Sequence, residues 1–216
     1  MTTQDTRSRG ARLPRSARRA QLLVAAQEVF VENGYHAAAM DDIAERAGVS
    51  KPVLYQHFPG KLELYLAILD MHNAELVASV GAAMRAHPEN KDRVAAAISA
   101  YYEFVDRDDA AFRLVFESDL TNDPLVRDRV DTVEKTVSAA IADIITEDAG
   151  LDRAQAQLLG VALAGMAQVS ARAWLQERRP VPREQAAALI SQLAWRGIRA
   201  FPLGSPTAET DGEQPG

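Results

Sequence analysis

The sequence predicts an all-α fold, with an N-terminal three-helix, helix-turn-helix head followed by a larger helical body. Three observations predict it. Apolar residues recur at helical spacing along nearly the whole chain of 216 residues. Neither a convincing alternating strand pattern nor a Gly-rich phosphate loop interrupts them. Near the N-terminus, two short helical segments flank a single glycine, Gly48.

The elements follow in order. Residues 1–13 are polar and Arg-rich, and are expected to form a disordered basic arm. Pro14 or Ser16 opens the first helix. Leu22, Leu23, Ala26, Val29 and Phe30 line one of its faces, and Asn33-Gly34 closes it. A second helix is expected over 40–47, with Asp41, Asp42 and Glu45 near its start and Ile43 turned inward. A third runs over 50–57 from an N-cap at Ser50. Pro52 lies in its first turn, where a missing N–H costs nothing. Pro59-Gly60 ends it, and Lys61 begins a long helix to about residue 84. The body continues with a helix to about 105, a turn at 106–109 and a short segment over 112–116. A helix follows from Pro124 to about 146, and another, capped by Asp152, to about 178. After Pro180 and Pro182 a last helix ends near 200. The expected domains are a head over 14–61, a body over 62–201 and a disordered tail over 202–216.

Composition narrows the function. Hydrophobic residues make up 47 % of the chain and charged residues 25 %, a globular mix. There is no cysteine, which excludes a disulfide framework, thiolate metal sites and a cysteine nucleophile, and fits the cytoplasm. No apolar stretch reaches the roughly 18–20 residues needed to span a bilayer, so no membrane partner is expected. The basic N-terminus lacks the apolar core of an export signal. The net charge of −6 is unevenly spread. Residues 1–61 hold nine Lys/Arg against six Asp/Glu (+3), leaving fifteen against twenty-four (−9). A basic end on an acidic body points that end at a polyanion. His36, His57, His72 and His87 are scattered, so no metal site and no cofactor are expected. Ser50 and His57 stand nearly two helical turns apart without an acidic partner, which argues against acyl-transfer chemistry and against an enzyme.

The stretch 34–61, GYHAAAMDDIAERAGVSKPVLYQHFPGK, carries the function. Gly48 can take the positive φ that a tight interhelical corner requires. Ser50, Lys51, Pro52 and Val53 then stand at the end of the third helix that enters a major groove. Lys51 can donate to guanine, and Pro52 and Val53 can press on a thymine methyl. Tyr55 and His57 offer donors to phosphates. Lys61 adds its charge to a helix N-terminus, a phosphate site. Arg15, Arg18 and Arg19 can clamp the backbone or a minor groove.

The run AERAGVSKPVLYQHFPGKLELYLAIL closely resembles the signature of the TetR family of regulators. That resemblance implies a homodimer joined through the last two long helices, each head reading half of an inverted repeat in double-stranded DNA. Matching motif positions make Lys51, Pro52, Val53 and Gln56 base readers, and Tyr55, His57 and Lys61 phosphate contacts. One departure stands out. Where hydroxyl residues often touch phosphate, this chain has Ala38 and Ala39, followed by Met40 and Asp41, and Asp41 repels phosphate if it faces DNA. LPRSARRAQLL, the 34–69 stretch and FRLVFESD resemble the actinobacterial fatty-acid-synthase regulators of the family, which sense long-chain acyl-CoA. This implies a small hydrophobic effector that lowers DNA affinity.

An acyl chain needs apolar walls. Leu66, Leu69, Ile98, Tyr102, Phe104, Phe112, Phe116, Ile141, Ile144, Leu163 and Met166 supply them, or serve as ordinary core. Gly160 and Gly165 either leave room for a ligand or allow close helix packing. Trp174 and Trp195 fit a dimer interface or the core equally well. The competing functions are a repressor of drug efflux or of another metabolic pathway, a helical enzyme acting on a CoA thioester, and a protein-interaction adaptor. A cationic drug would call for acidic or aromatic groups in the pocket. Turnover would mark the enzyme, and failure to bind any enriched DNA would mark the adaptor.

Overall fold

A computed structural model describes residues 13–107, 120, 123–149 and 151–196. Among them are eight α-helices and no strand. We number them α1 (Arg15–Ala37), α2 (Met40–Arg46), α3 (Lys51–His57), α4 (Lys61–Arg85), α5 (Asn90–Asp106), α6 (Pro124–Ala149), α7 (Arg153–Gln176) and α8 (Arg183–Arg196). The expectations for the tail over 202–216, for the arm before Leu13, and for Phe112, Phe116 and the FRLVFESD run lie outside the described residues.

In the head, α1 packs on α2 and α4, and α2 on α3. Leu22, Ala26, Ile43 and Leu54 are fully buried where these helices meet, and Val29, Phe30 and Phe58 nearly so. Burying each large side chain contributes about 1.5–3 kcal/mol. Two glycines make the turns. Gly34 has φ +75° and breaks α1, after which three residues form a further short turn. Gly48 has φ +64° at the α2–α3 corner, with nothing within 4 Å of where a Cβ would stand. Its requirement for glycine is therefore backbone conformation alone.

The Ser50 hydroxyl makes no capping bond; instead its carbonyl accepts the Val53 N–H at 2.9 Å. Asp152 does cap α7, accepting the Gln155 N–H at 2.9 Å, while Gln155 Oε1 accepts the Asp152 N–H at 3.3 Å.

In the body, α6 and α7 form the most extensive pairing, and α5 lies between α4 and α8. A Cβ at Gly160 would run into the Ser138 carbonyl and stand 3.3 Å from the Ala142 Cβ. Gly160 therefore serves close packing of α7 on α6 within one chain, and leaves no room for a ligand. Gly165 has open space around it. Trp174 is core: its indole Nε1 donates to the Val181 carbonyl at 2.8 Å, and its ring centroid lies 5.6 Å from that of Tyr102.

By length and composition α7 is able to cross a membrane, with mean hydropathy 1.3 over an 18-residue window. This corrects the expectation that no such stretch exists. The alanines, leucines and valines of α7 outweigh its glutamines in the average. Only 22 % of that window is buried, and Leu158 and Val169 are 71 % and 67 % exposed.

Candidate DNA interface and internal cavity

The head gathers its cations unevenly, because several are consumed within the fold. Arg46 bonds Glu32 through both terminal nitrogens, at 2.6 and 3.0 Å, and Glu28 at 3.1 Å, tying α2 to α1. Lys61 Nζ donates to the carbonyls of Tyr35 (2.7 Å), His36 (3.1 Å) and Ala38 (2.9 Å), and lies 4.6 Å from the Tyr35 ring centroid. Its three protons satisfy the carbonyls that the break at Gly34 leaves without helical partners. Lys61 therefore acts as a structural clamp within the head.

The cations that remain converge on one side of α3. Gln21 Nε2 donates to the Ala47 carbonyl (2.8 Å) while its Oε1 accepts from Arg18 (2.8 Å), so the helix corner orients an arginine. The Arg19 guanidinium lies 4.3 Å from the Phe58 ring centroid and donates to the His57 carbonyl at 3.4 Å. Burial pushes the His57 imidazole below its ordinary value, and the charges of Arg15, Arg19 and Arg18 push it the same way. Arg15, Arg18 and Arg19 thus form one cationic cluster around His57.

Along α3, Lys51, Pro52, Tyr55 and Gln56 are exposed and Val53 is half-buried. Asp41 lies 2.7 Å from Lys51 Nζ, and the two side chains are 60 % and 55 % exposed. The acid that the sequence marks as a liability is paired with the expected base reader. Ala39 has no side chain to cap α2, and Asp42 reaches back to accept its N–H at 3.3 Å.

Inside the body, α4–α8 enclose a cavity of about 390 Å³. Of the expected pocket residues, Ile98, Ile141, Ile144 and Leu163 line it. Leu66, Leu69, Tyr102, Phe104 and Met166 do not. The first four of these are core, and the Tyr102 hydroxyl donates to Ser170 Oγ at 3.0 Å. Residue 102 follows 101 by a rotation of about 100° on α5, enough to turn it from the cavity onto α7.

Sequence reading missed Val80, Met84, Asn90, Arg93, Tyr101 and Trp195, which line the same cavity. The alignment of Val94, Ile98 and Tyr101 on one face of α5 was the available signal. The Tyr101 hydroxyl is buried and has no hydrogen-bond partner among the described residues. Burial pushes its phenol well up, and the charge of Glu134 adds to this while Arg172 opposes it. No carboxylate lines the cavity among the described residues.

A family model described as "Bacterial regulatory proteins, tetR family" matches residues 22–68. The HTH-type transcriptional activator FasR of Mycolicibacterium smegmatis is 47 % identical over 195 residues, covering 90 % of this chain and 89 % of that protein. The chain belongs to the TetR family.

Two solved TetR-type folds superpose on it. The transcriptional regulator FadR from Bacillus subtilis, in complex with stearoyl-CoA, has TM-score 0.70 at 21 % identity, covering 83 % of this chain and 98 % of that one. A TetR-like regulator from Rhodococcus sp. RHA1 has TM-score 0.67 at 26 % identity, covering 88 % and 100 %. As a TetR-family protein the chain is a DNA-binding transcriptional regulator and not an enzyme. The matched residues 22–68 span α2, α3 and their corner.

Proposed function

We propose that this TetR-family regulator controls fatty-acid synthesis genes from the cytoplasm, and that a long-chain acyl-CoA lowers its affinity for DNA. The observation that carries the proposal is the 47 % identity to FasR, which extends through the body as well as the head. The cavity supports it. Its volume falls within the ~300–1,000 Å³ of ligand sites, and its walls are mainly aliphatic. Its lining holds the cation Arg93 and no carboxylate among the described residues, which disfavours a cationic drug, the ligand of the competing efflux reading, although the rings of Tyr101 and Trp195 are present.

The DNA partner is an inverted repeat read by a homodimer. The exposed apolar stripe of Leu158 and Val169 on α7, with Leu189 on α8, supports dimerisation through these two helices, since such patches mark interaction surfaces. Ala38 and Ala39 leave the start of α2 without a hydroxyl, so phosphate contact falls to Arg15, Arg18, Arg19, Ser50, Tyr55 and His57. Base reading falls to Lys51, Pro52, Val53 and Gln56. Effector acts by linkage: it binds more tightly to a body conformation whose two heads no longer match successive major grooves, about 34–36 Å apart.

The test is fluorescence anisotropy on promoter DNA of fatty-acid-synthase genes at fixed salt, with and without palmitoyl-CoA. Binding that palmitoyl-CoA abolishes and free CoA leaves intact is expected. Tight binding indifferent to palmitoyl-CoA removes the ligand from the proposal, and no preference for this DNA removes the target.

A further inference from the structure

We infer that the body takes its ligand as an amphipathic anion, with a single acyl chain in the cavity and a phosphate-bearing head on a cationic groove formed by Lys91 and Arg196. The inference rests on the lipid reading above and says which groups hold the head.

Apart from Tyr101 and Trp195, the polar lining of the cavity lies at one end. There the first turn of α5 brings in Asn90 and Arg93. Arg93 Nε donates to the His87 carbonyl at 2.8 Å and its Nη1 to Asn90 Oδ1 at 3.1 Å, which fixes the guanidinium at that end. It is the single charged side chain among the lining residues described. A space of about 390 Å³ accommodates a long chain but not a nucleotide-bearing head beside it, so the head must project outward.

Trp195 marks where it emerges. Its ring, 48 % exposed, lines both the cavity and a surface groove of about 190 Å³ between α5 and α8. Lys91, Ala95, Ser191, Gln192 and Arg196 complete the groove. An indole suits such a junction, with apolar body and polar edge. Glu89 and Asp92 neighbour Lys91 in sequence but do not line the groove. Neither Lys91 nor Arg196 has an ion-pair partner among the described residues. Several other cations of this acidic body are paired: Arg129 with Asp70, Arg153 with Asp143 and Arg179 with Asp106. Two uncompensated cations at the outlet of an apolar cavity match a phosphate at the end of a chain. They do not match a neutral lipid or a cation. A CoA thioester and a lysophospholipid share this chemistry.

The experiment titrates the full chain, by tryptophan fluorescence below micellar concentrations, with palmitoyl-CoA, palmitoyl lysophosphatidate and 1-hexadecanol. It compares the wild type with Lys91→Ala/Arg196→Ala. The expected result is palmitoyl-CoA binding at least tenfold weaker in the double variant, with 1-hexadecanol binding unchanged. The ratio of palmitoyl-CoA to lysophosphatidate affinity in the wild type then identifies the source of the phosphate.

If the double variant unfolds, Lys91→Glu replaces it, since an acid in the first turn of α5 is compatible with the helix dipole. The same selective loss is expected. Equal palmitoyl-CoA affinity in wild type and variant, with hexadecanol bound by both, overturns the groove and leaves the lipid reading standing. A wild type that binds none of the three chains overturns both.

Discussion

Single residues in the head divide into those that hold it together and those left for DNA. Lys61→Ala removes three charge-assisted bonds and exposes the break at Gly34. We expect it to destabilise the head by about 1–3 kcal/mol, seen as a lower Tm, while the slope of log affinity against log salt stays unchanged. A slope shallower by about one would return Lys61 to the phosphate contacts.

Asp41 has the opposite character. Its pairing with Lys51 restrains a base reader and opposes phosphate, so Asp41→Asn should tighten non-specific binding more than operator binding. Lys51→Ala should flatten discrimination between operator and mutated half-sites. Competition binding measures both, and a constant specificity ratio in Asp41→Asn would refute the first.

His57 adds a pH dependence. Its folded value is depressed below about 6.5, so the unfolded chain binds the extra proton first, and stability is lost as pH falls through that value. DNA phosphates offset the arginine charges and raise the imidazole value in the complex. Binding then takes up a proton, and DNA affinity should strengthen as pH falls between about 8 and 5. His57→Gln should remove that trend from anisotropy titrations.

At the scale of helices, small residues decide how close the elements come. Gly48 is required for its backbone angle and Gly160 for its lack of a side chain, two different reasons for the same residue type. Gly160→Leu should separate α6 from α7 and lower stability by about 1–3 kcal/mol or more, read from denaturant unfolding. Gly165→Ala should be neutral or mildly stabilising, because it has open space around it in the middle of a helix. Equal effects of the two would mean that α6 and α7 adjust freely.

Polar contacts join the same layers. His72 Nε2 bonds Gln27 Oε1 at 2.8 Å, linking α4 to the head. Asn73 Nδ2 donates to the Arg129 carbonyl at 3.2 Å, linking α4 to the body. α4 is thus bonded to α1 on one side and to α6 on the other.

For the whole molecule, the largest exposures of apolar side chains lie on α7. The head presents arginines, while α7 presents Leu158 and Val169 on a helix apolar enough to pass for a membrane span. Under the dimer proposal this stripe is covered by a second copy. Leu158→Glu/Val169→Glu should then yield monomers in sedimentation, with a large loss of affinity for a two-half-site operator and little for a single half-site. A double variant that remains dimeric would move the interface elsewhere.

The sequence by itself determined the helical class and the order of the described helices to within a few residues. Spacing, caps and glycines are local signals, written at i, i+3 and i+4 and at helix ends. It also determined the corner at Gly48, the exposed start of α3 and the family, all of which lie within a short contiguous stretch. Only the tertiary structure decided the fate of each side chain. Lys61 became a clamp because Gly34, twenty-seven positions earlier, left carbonyls within its reach. Lys51 met an acid on the preceding helix. Tyr102 turned onto α7 while Tyr101 faced the cavity, and Arg93 and Trp195 joined its lining. Composition cannot separate core from cavity wall, because both are apolar and differ only in what stands opposite. That is set by how helices distant in sequence pack together.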